Sequence, residues 1–145
     1  MPKITPFLWF QVPLREVVDY YGSIFRDFQV HNVSPRSASF EIEGQRFLAL
    51  NGGPHHPFND AISFFIDCED QDEVDYYWTR LTADGGAESM CGWLKDRYGV
   101  SWQIVPQGMD EYFSGKDPKR AERMMQAIHT MVKLDIAGLE AAARG

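Results

Sequence analysis

Cys91-Gly92-Trp93-Leu94-Lys95-Asp96-Arg97-Tyr98-Gly99-Val100-Ser101-Trp102-Gln103-Ile104-Val105-Pro106 reads as two short strands joined by a tight turn. Asp96-x-x-Gly99 carries the turn chemistry, because the carboxylate bonds back to the chain and the glycine adopts a positive φ. The second strand ends in an apolar run that carries one polar residue, Gln103.

Upstream of this hairpin the same order of elements occurs twice. Ile4 to Phe10 reads as a strand, with Pro6 near its start, where a missing N–H is tolerated. Pro13 stands at a first helical position, and Leu14, Val17, Val18, Tyr21, Ile24 and Phe25 follow at helical spacing. Val30 to Val33, Ser37 to Glu43 and Gln45 to Leu50 read as three strands, the last two joined by a Glu43-Gly44 turn. After the breakers Asn51-Gly52-Gly53-Pro54 the pattern restarts. Ala61 to Asp67 is a strand, and Asp70 caps a helix with Glu73 as its box partner. Val74, Tyr77, Trp78 and Leu81 give that helix its stripe, and Gly85-Gly86 stops it. Strands at Ala87 to Met90, Trp93 to Lys95 and Ser101 to Val105 complete the set.

The sequence therefore predicts an α+β fold in a single domain, residues 1–145. It holds two βαβββ repeats, 3–50 and 61–106, pairing into one cupped mixed sheet with the helices behind it. A helical tail, 117–142, opens at Asp117-Pro118, and Ala121, Met124, Met125, Ile128, Met131 and Val132 keep helical spacing. Asp135 caps a last short helix through Leu139. A Met-rich stripe serves either a binding groove or plain packing, and packing against the sheet or a second subunit is the expectation.

Twenty-one acidic against fourteen basic residues leave a net charge of −7, with no basic stripe for phosphates, which argues against a nucleic-acid partner. No stretch has the length or apolarity of a membrane span, and the N-terminus lacks a signal pattern, so a cytoplasmic protein without a membrane partner is expected. Cys68 and Cys91 match no zinc spacing and are expected to be reduced thiols.

Four segments carry a family resemblance: Lys3 to Phe10, Leu50 to His55, Phe58 to Phe64 and Cys91 to Asp96. Together they resemble the PhnB-like branch of the vicinal oxygen chelate superfamily, which includes glyoxalase I, extradiol dioxygenases and bleomycin-resistance proteins. Members are often labelled demethylubiquinone methyltransferase-like. The tail around Leu134 to Leu139 also looks like this branch. The resemblance implies the cupped fold, a homodimer, and metal ligands on the concave face of the first and last strands of each repeat, with glutamate at the place of Gln103.

Strand alternation sorts the faces. Trp102 and Ile104 are expected on the helices and Ser101, Gln103 and Val105 in the cup. Ile62, Phe64 and Ile66 are expected on the helix side, leaving Ser63 and Phe65 inside. By the repeat, Phe7 and Trp9 correspond to Ser63 and Phe65, with Leu48 near the equivalent of Gln103. The four ligand positions are then Phe7, Leu48, Ser63 and Gln103. Phe and Leu cannot coordinate a metal and neutral Ser and Gln do so weakly, so neither the usual metal site nor another cofactor is expected.

The ligand-binding candidates are Phe7, Trp9, Leu48, Asn51, Ser63, Phe65, Trp93 and Gln103. Each also has a plainer reading: core packing for the rings, turn chemistry for Asn51, a satisfied amide for Gln103. His55 is the candidate catalytic or metal residue, although adjacent loop histidines such as His55 and His56 are commonly just solvated. Cys91 is a nucleophile only if something stabilises its thiolate, and a small buried residue is the alternative. The leading expectation is a metal-free protein binding a small molecule, with a cationic ligand suiting the acidic charge. The rivals are a lyase or dioxygenase-like metalloenzyme using His55, and an interaction protein whose cup is filled by its own side chains. Methyl transfer is disfavoured, because Asp84-Gly85-Gly86 follows a helix and not a first strand.

Overall fold

The computed structural model describes residues 3–109 and 115–145. The chain divides into two compact units, Met1–Phe58 and Asn59–Gly145, and the boundary falls between the two repeats.

The first unit runs β1 (Phe7–Phe10), α1 (Leu14–Ile24), β2 (Phe28–Val33), β3 (Ser37–Ile42) and β4 (Gln45–Asn51). Its sheet has the order β1-β4-β3-β2, with β1 parallel to β4 and the other pairs antiparallel. Leu8, Phe10, Ala38, Phe40, Ile42, Phe47 and Ala49 are buried, as are Leu14, Val17, Val18, Tyr21 and Ile24 of α1. Period-two burial on the strands and a helical stripe on α1 thus define one core. Glu43 and Gly44, both at positive φ, make the tight turn. Two expectations shift by a few residues. β1 begins at Phe7, not Ile4, which is 85% exposed; Pro6 joins the ladder only through its carbonyl, which accepts from Leu48 N. Pro13 is the N-cap, and its extended ψ of 132° puts the first helical position at Leu14.

The second unit runs β5 (Phe64–Cys68), α2 (Gln71–Thr82), β6 (Ala87–Glu88), β7 (Trp93–Lys95), β8 (Ser101–Pro106), α3 (Pro118–His129) and α4 (Ile136–Arg144). Its sheet, β5-β8-β7-β6, repeats the arrangement of the first. Asp70 caps α2 by accepting from Glu73 N, while the Glu73 carboxylate reaches back to Glu69 N. The helix ends at Thr82, before the Gly pair; Gly86 is needed because a Cβ there would meet Leu81 O at 2.4 Å. β6 is shorter than expected, since Ser89 and Met90 already belong to the turn whose corner is Cys91 (φ 62°) and Gly92 (φ 83°).

The tail packs on its own unit. Met124, Ile128, Leu134, Leu139 and Ala143 bury against Val105 and Met109. Asp117 and Asp135 cap α3 and α4. α3 stops at His129, so Met131 and Val132 do not extend its stripe; their carbonyls accept from Cys91 N and Gly92 N, both at 2.8 Å. Gln71 adds a double tie, donating to Leu134 O (3.1 Å) and accepting from Ile136 N (2.8 Å).

Candidate functional site

The Asp96 turn fixes the site hairpin. Asp96 is 1% exposed, and one carboxylate oxygen accepts from Tyr98 N (2.9 Å) and Val100 N (3.1 Å). The other accepts from Trp102 Nε1 at 2.9 Å. Three N–H donors on one carboxylate satisfy a buried charge that would otherwise be costly. They also tie the turn to β8, setting the register Trp93↔Gln103 and Leu94↔Trp102.

That register arranges one face of the second sheet in rows. Trp102 and Ile104 are buried on the α2 side, as expected, and Leu94 is buried with them. On the opposite face Phe65, Gln103 and Trp93 form a row across three strands. Gln103 Nε2 donates to Ser63 Oγ at 2.8 Å. Phe65 is 54% exposed, and Trp93 and Gln103 are half-buried. One row along, Ser101 pairs with Lys95. Above them the Asp60 carboxylate takes the Lys95 ammonium at 3.1 Å and the Ser101 hydroxyl at 3.1 Å. Hydrogen bonds from Lys95 and then Ser101 hold the Asp60 carboxyl below its ordinary range. The other end of the face is closed, because Val105 is buried in the tail cluster and Cys91 packs against it. Val105 therefore does not line an open cup: the tail covers it.

Ile62 departs further from expectation. It is 73% exposed and packs on no helix, because Asn59 Oδ1 accepts from Ala61 N in a turn and the strand starts only at Phe64.

In the first unit Phe7, 60% exposed, neighbours Leu48 across the parallel pair. Trp9 neighbours Leu50. If Trp9 matches Phe65, the counterpart of Gln103 is Leu50; Leu48 matches Gln103 only if Phe7 matches Phe65. Both alternatives place an aliphatic side chain where the second sheet has its amide. Trp9 is not a free stacking surface. Its Nε1 donates to Gly53 O at 2.8 Å, its ring lies where a Cβ on Gly52 would stand, and His56 packs edge-on at 4.6 Å between centroids. Asn51 pairs with Phe10, so alternation turns it away from Leu48 and Leu50.

His55 and His56 are exposed, and His56 uses its ring on Trp9. Among the described residues no group of three or more His, Cys, Asp or Glu is placed to hold a metal ion. The four positions expected to carry ligands offer little to one: Phe7 and Leu48 have no donor atom, and Ser63 and Gln103 bring only neutral oxygens, which bind divalent metals weakly. Burial, then the nearby Glu73 carboxylate, pushes the Cys68 thiol up to about 12, so it is no nucleophile at neutral pH. No described helix is long and apolar enough to cross a membrane.

Sequence reasoning named Phe65, Trp93 and Gln103 as candidates but gave Lys95, Ser101 and Asp60 no role. Alternation placed Ser101 in the cup, and Lys95 shares its face through the hairpin register. Asp60 lies in a turn before the strand, and no period reports on it.

A family model described as 3-demethylubiquinone-9 3-methyltransferase matches residues 2–105, so α3 and α4 lie beyond the match. Among solved structures, a Bacillus cereus PhnB protein, named as a 3-demethylubiquinone-9 3-methyltransferase, is 30% identical. That match covers 72% of this chain and 99% of the other, with a TM-score of 0.64. Protein PA1353 from Pseudomonas aeruginosa shares 17% identity over 74% of this chain and 98% of its own, at a TM-score of 0.59. The fosfomycin resistance protein FosX from Listeria monocytogenes, solved with Mn(II) and sulfate, shares 16% over 79% and 97%, at 0.57. No curated protein matches the sequence.

Proposed function

The chain belongs to the family described as 3-demethylubiquinone-9 3-methyltransferase, the PhnB-like branch of the vicinal oxygen chelate superfamily, and on that premise we propose that it is a cytoplasmic small-molecule-binding protein that needs no metal. The observation that carries this is the Phe65–Gln103–Trp93 row. Two half-open rings flank an amide hydrogen-bonded to Ser63, on three paired strands. Planar apolar surface with one oriented polar group suits a flat organic ligand. The rings supply contact area, while the Gln103 carbonyl and the Ser63 O–H read one polar substituent.

Mechanistically this is capture. The chain's own residues bind and orient, and hydrogen bonds from Lys95 and then Ser101 lower the proton affinity of the Asp60 carboxylate, which makes it a weak base. Methyl transfer, which the family description names, requires a donor pocket. In doubly wound sheets that pocket is the crevice at the strand-order switch, beside a Gly-rich first turn. Neither four-stranded mixed sheet has that topology. FosX shares the fold and holds Mn(II), but the donor set at Phe7, Leu48, Ser63 and Gln103 does not reproduce a metal site. The proposal keeps the working unit a homodimer, which sedimentation equilibrium checks; Ile4 and Phe7, exposed beside the edge of the first sheet, are apolar surface for a second copy.

The test is a tryptophan-fluorescence titration with naphthalene-ring probes, repeated for Phe65→Ala and Gln103→Ala. Saturable quenching is expected, with affinity falling roughly tenfold for Phe65→Ala, as loss of one stacked ring costs about 0.5–1.5 kcal/mol beyond its buried area. Quenching that never saturates, or that both variants leave unchanged, contradicts the reading.

A further inference from the structure

The Asp60 carboxylate sits on two donors that come from neighbouring strands. Lys95 Nζ and Ser101 Oγ both approach the same oxygen, Oδ1, at 3.1 Å. The donors belong to paired residues of β7 and β8, so their spacing is set by the ladder. The acceptor comes from the turn before β5 and is itself exposed. A fixed ammonium–hydroxyl pair closed over by a carboxylate from a turn is the geometry of an anion subsite holding an internal substitute. It adjoins the aromatic row, one residue pair along the hairpin from Trp93 and Gln103.

We propose that Lys95 and Ser101 form a carboxylate subsite, that Asp60 occupies it when no ligand is present, and that the ligand of this face is an aromatic carboxylate. Its ring lies against Phe65 and Trp93 and its carboxylate replaces that of Asp60. This rests on the ligand-binding reading above and narrows its substrate class. The exchange is charge-neutral at the cradle, one carboxylate for another, and the exposed pair it breaks costs little to open. The net charge of −7 works against an anion at long range, but solvent charges beyond about 8 Å are largely screened at physiological salt. The local donors therefore decide the sign of the preference.

The test compares 2-naphthoate with its neutral analogue 2-naphthamide on the full chain, by calorimetry, for wild type, Asp60→Asn, Asp60→Ala and Lys95→Met. Wild type is expected to prefer naphthoate. Both Asp60 variants are expected to tighten naphthoate by roughly two- to fivefold, as removal of one exposed ion-pair competitor permits, and to leave naphthamide unchanged. Lys95→Met is expected to erase the preference. Equal binding of the two probes in wild type, or Asp60 variants that melt earlier without binding naphthoate more tightly, overturns the subsite; Asp60 then merely pins its turn to the sheet. If neither probe saturates in any variant, the ligand-binding reading fails and the subsite with it.

Discussion

At the scale of single residues, Asp96 does most to hold the site hairpin. Its side chain is buried with three N–H donors, of which Val100 N and Trp102 Nε1 are in fully buried bonds. Truncation strands those donors away from water, so Asp96→Ala is expected to cost on the order of 3 kcal/mol, read from denaturant unfolding. A loss below about 0.5 kcal/mol would show that the donors find other partners. This residue was legible in the sequence, because Asp-x-x-Gly is local chemistry and local chemistry survives without tertiary knowledge. Trp9 was not. Its lock under Gly52, Gly53 and His56 comes from a loop more than forty positions away, and only the folded chain shows that the ring is already engaged.

Among the elements, the tail shows best how far periodicity reaches. The caps Asp70, Asp117 and Asp135 were readable because each accepts from a backbone N–H three residues on. The end of α3 was not readable, since Met131 and Val132 continue the helical spacing yet their carbonyls accept from the N–H groups of the Cys91-Gly92 corner. Hydrogen bonding to another element won over pattern. The tail is also tied by an ion pair, Lys133 Nζ to Asp75 Oδ1 at 2.7 Å. Lys133, then Gln71, holds the Asp75 carboxyl below its ordinary range. A carboxyl whose folded value lies below its unfolded value of about 3.9 stabilises fully above the unfolded value, and that contribution is lost as pH falls through the folded one. Both groups are exposed enough for solvent to screen the pair, so the effect is small and salt-sensitive. The melting-temperature gap between wild type and Lys133→Met is therefore expected at neutral pH and should begin to narrow as pH falls below about 4, closing only below the folded value. A gap that persists in acid would assign Lys133 to packing instead of charge.

For the whole molecule, duplication was the most readable property. Two βαβββ repeats and most of their buried positions follow from alternation, helical spacing and turn residues; the strand order was not readable, and each repeat forms its own four-stranded mixed sheet. The candidate site was half readable. Alternation selected Phe65 and Gln103, and the hairpin turn set Trp93 beside them. What remained hidden was the closing of Val105 by the tail and the arrival of Asp60 over Lys95, since both depend on segments without a strand period. The central claim, capture of a flat ligand without a metal, is tested most directly by the affinity of chelator-stripped protein for 2-naphthoate, measured in excess chelator and again with nickel, zinc, manganese or ferrous ion. The dissociation constant is expected to be the same in every case. Binding that appears only with a metal ion, and disappears again on chelation, would contradict the account and return Gln103 and His55 to the reckoning as parts of a metal centre.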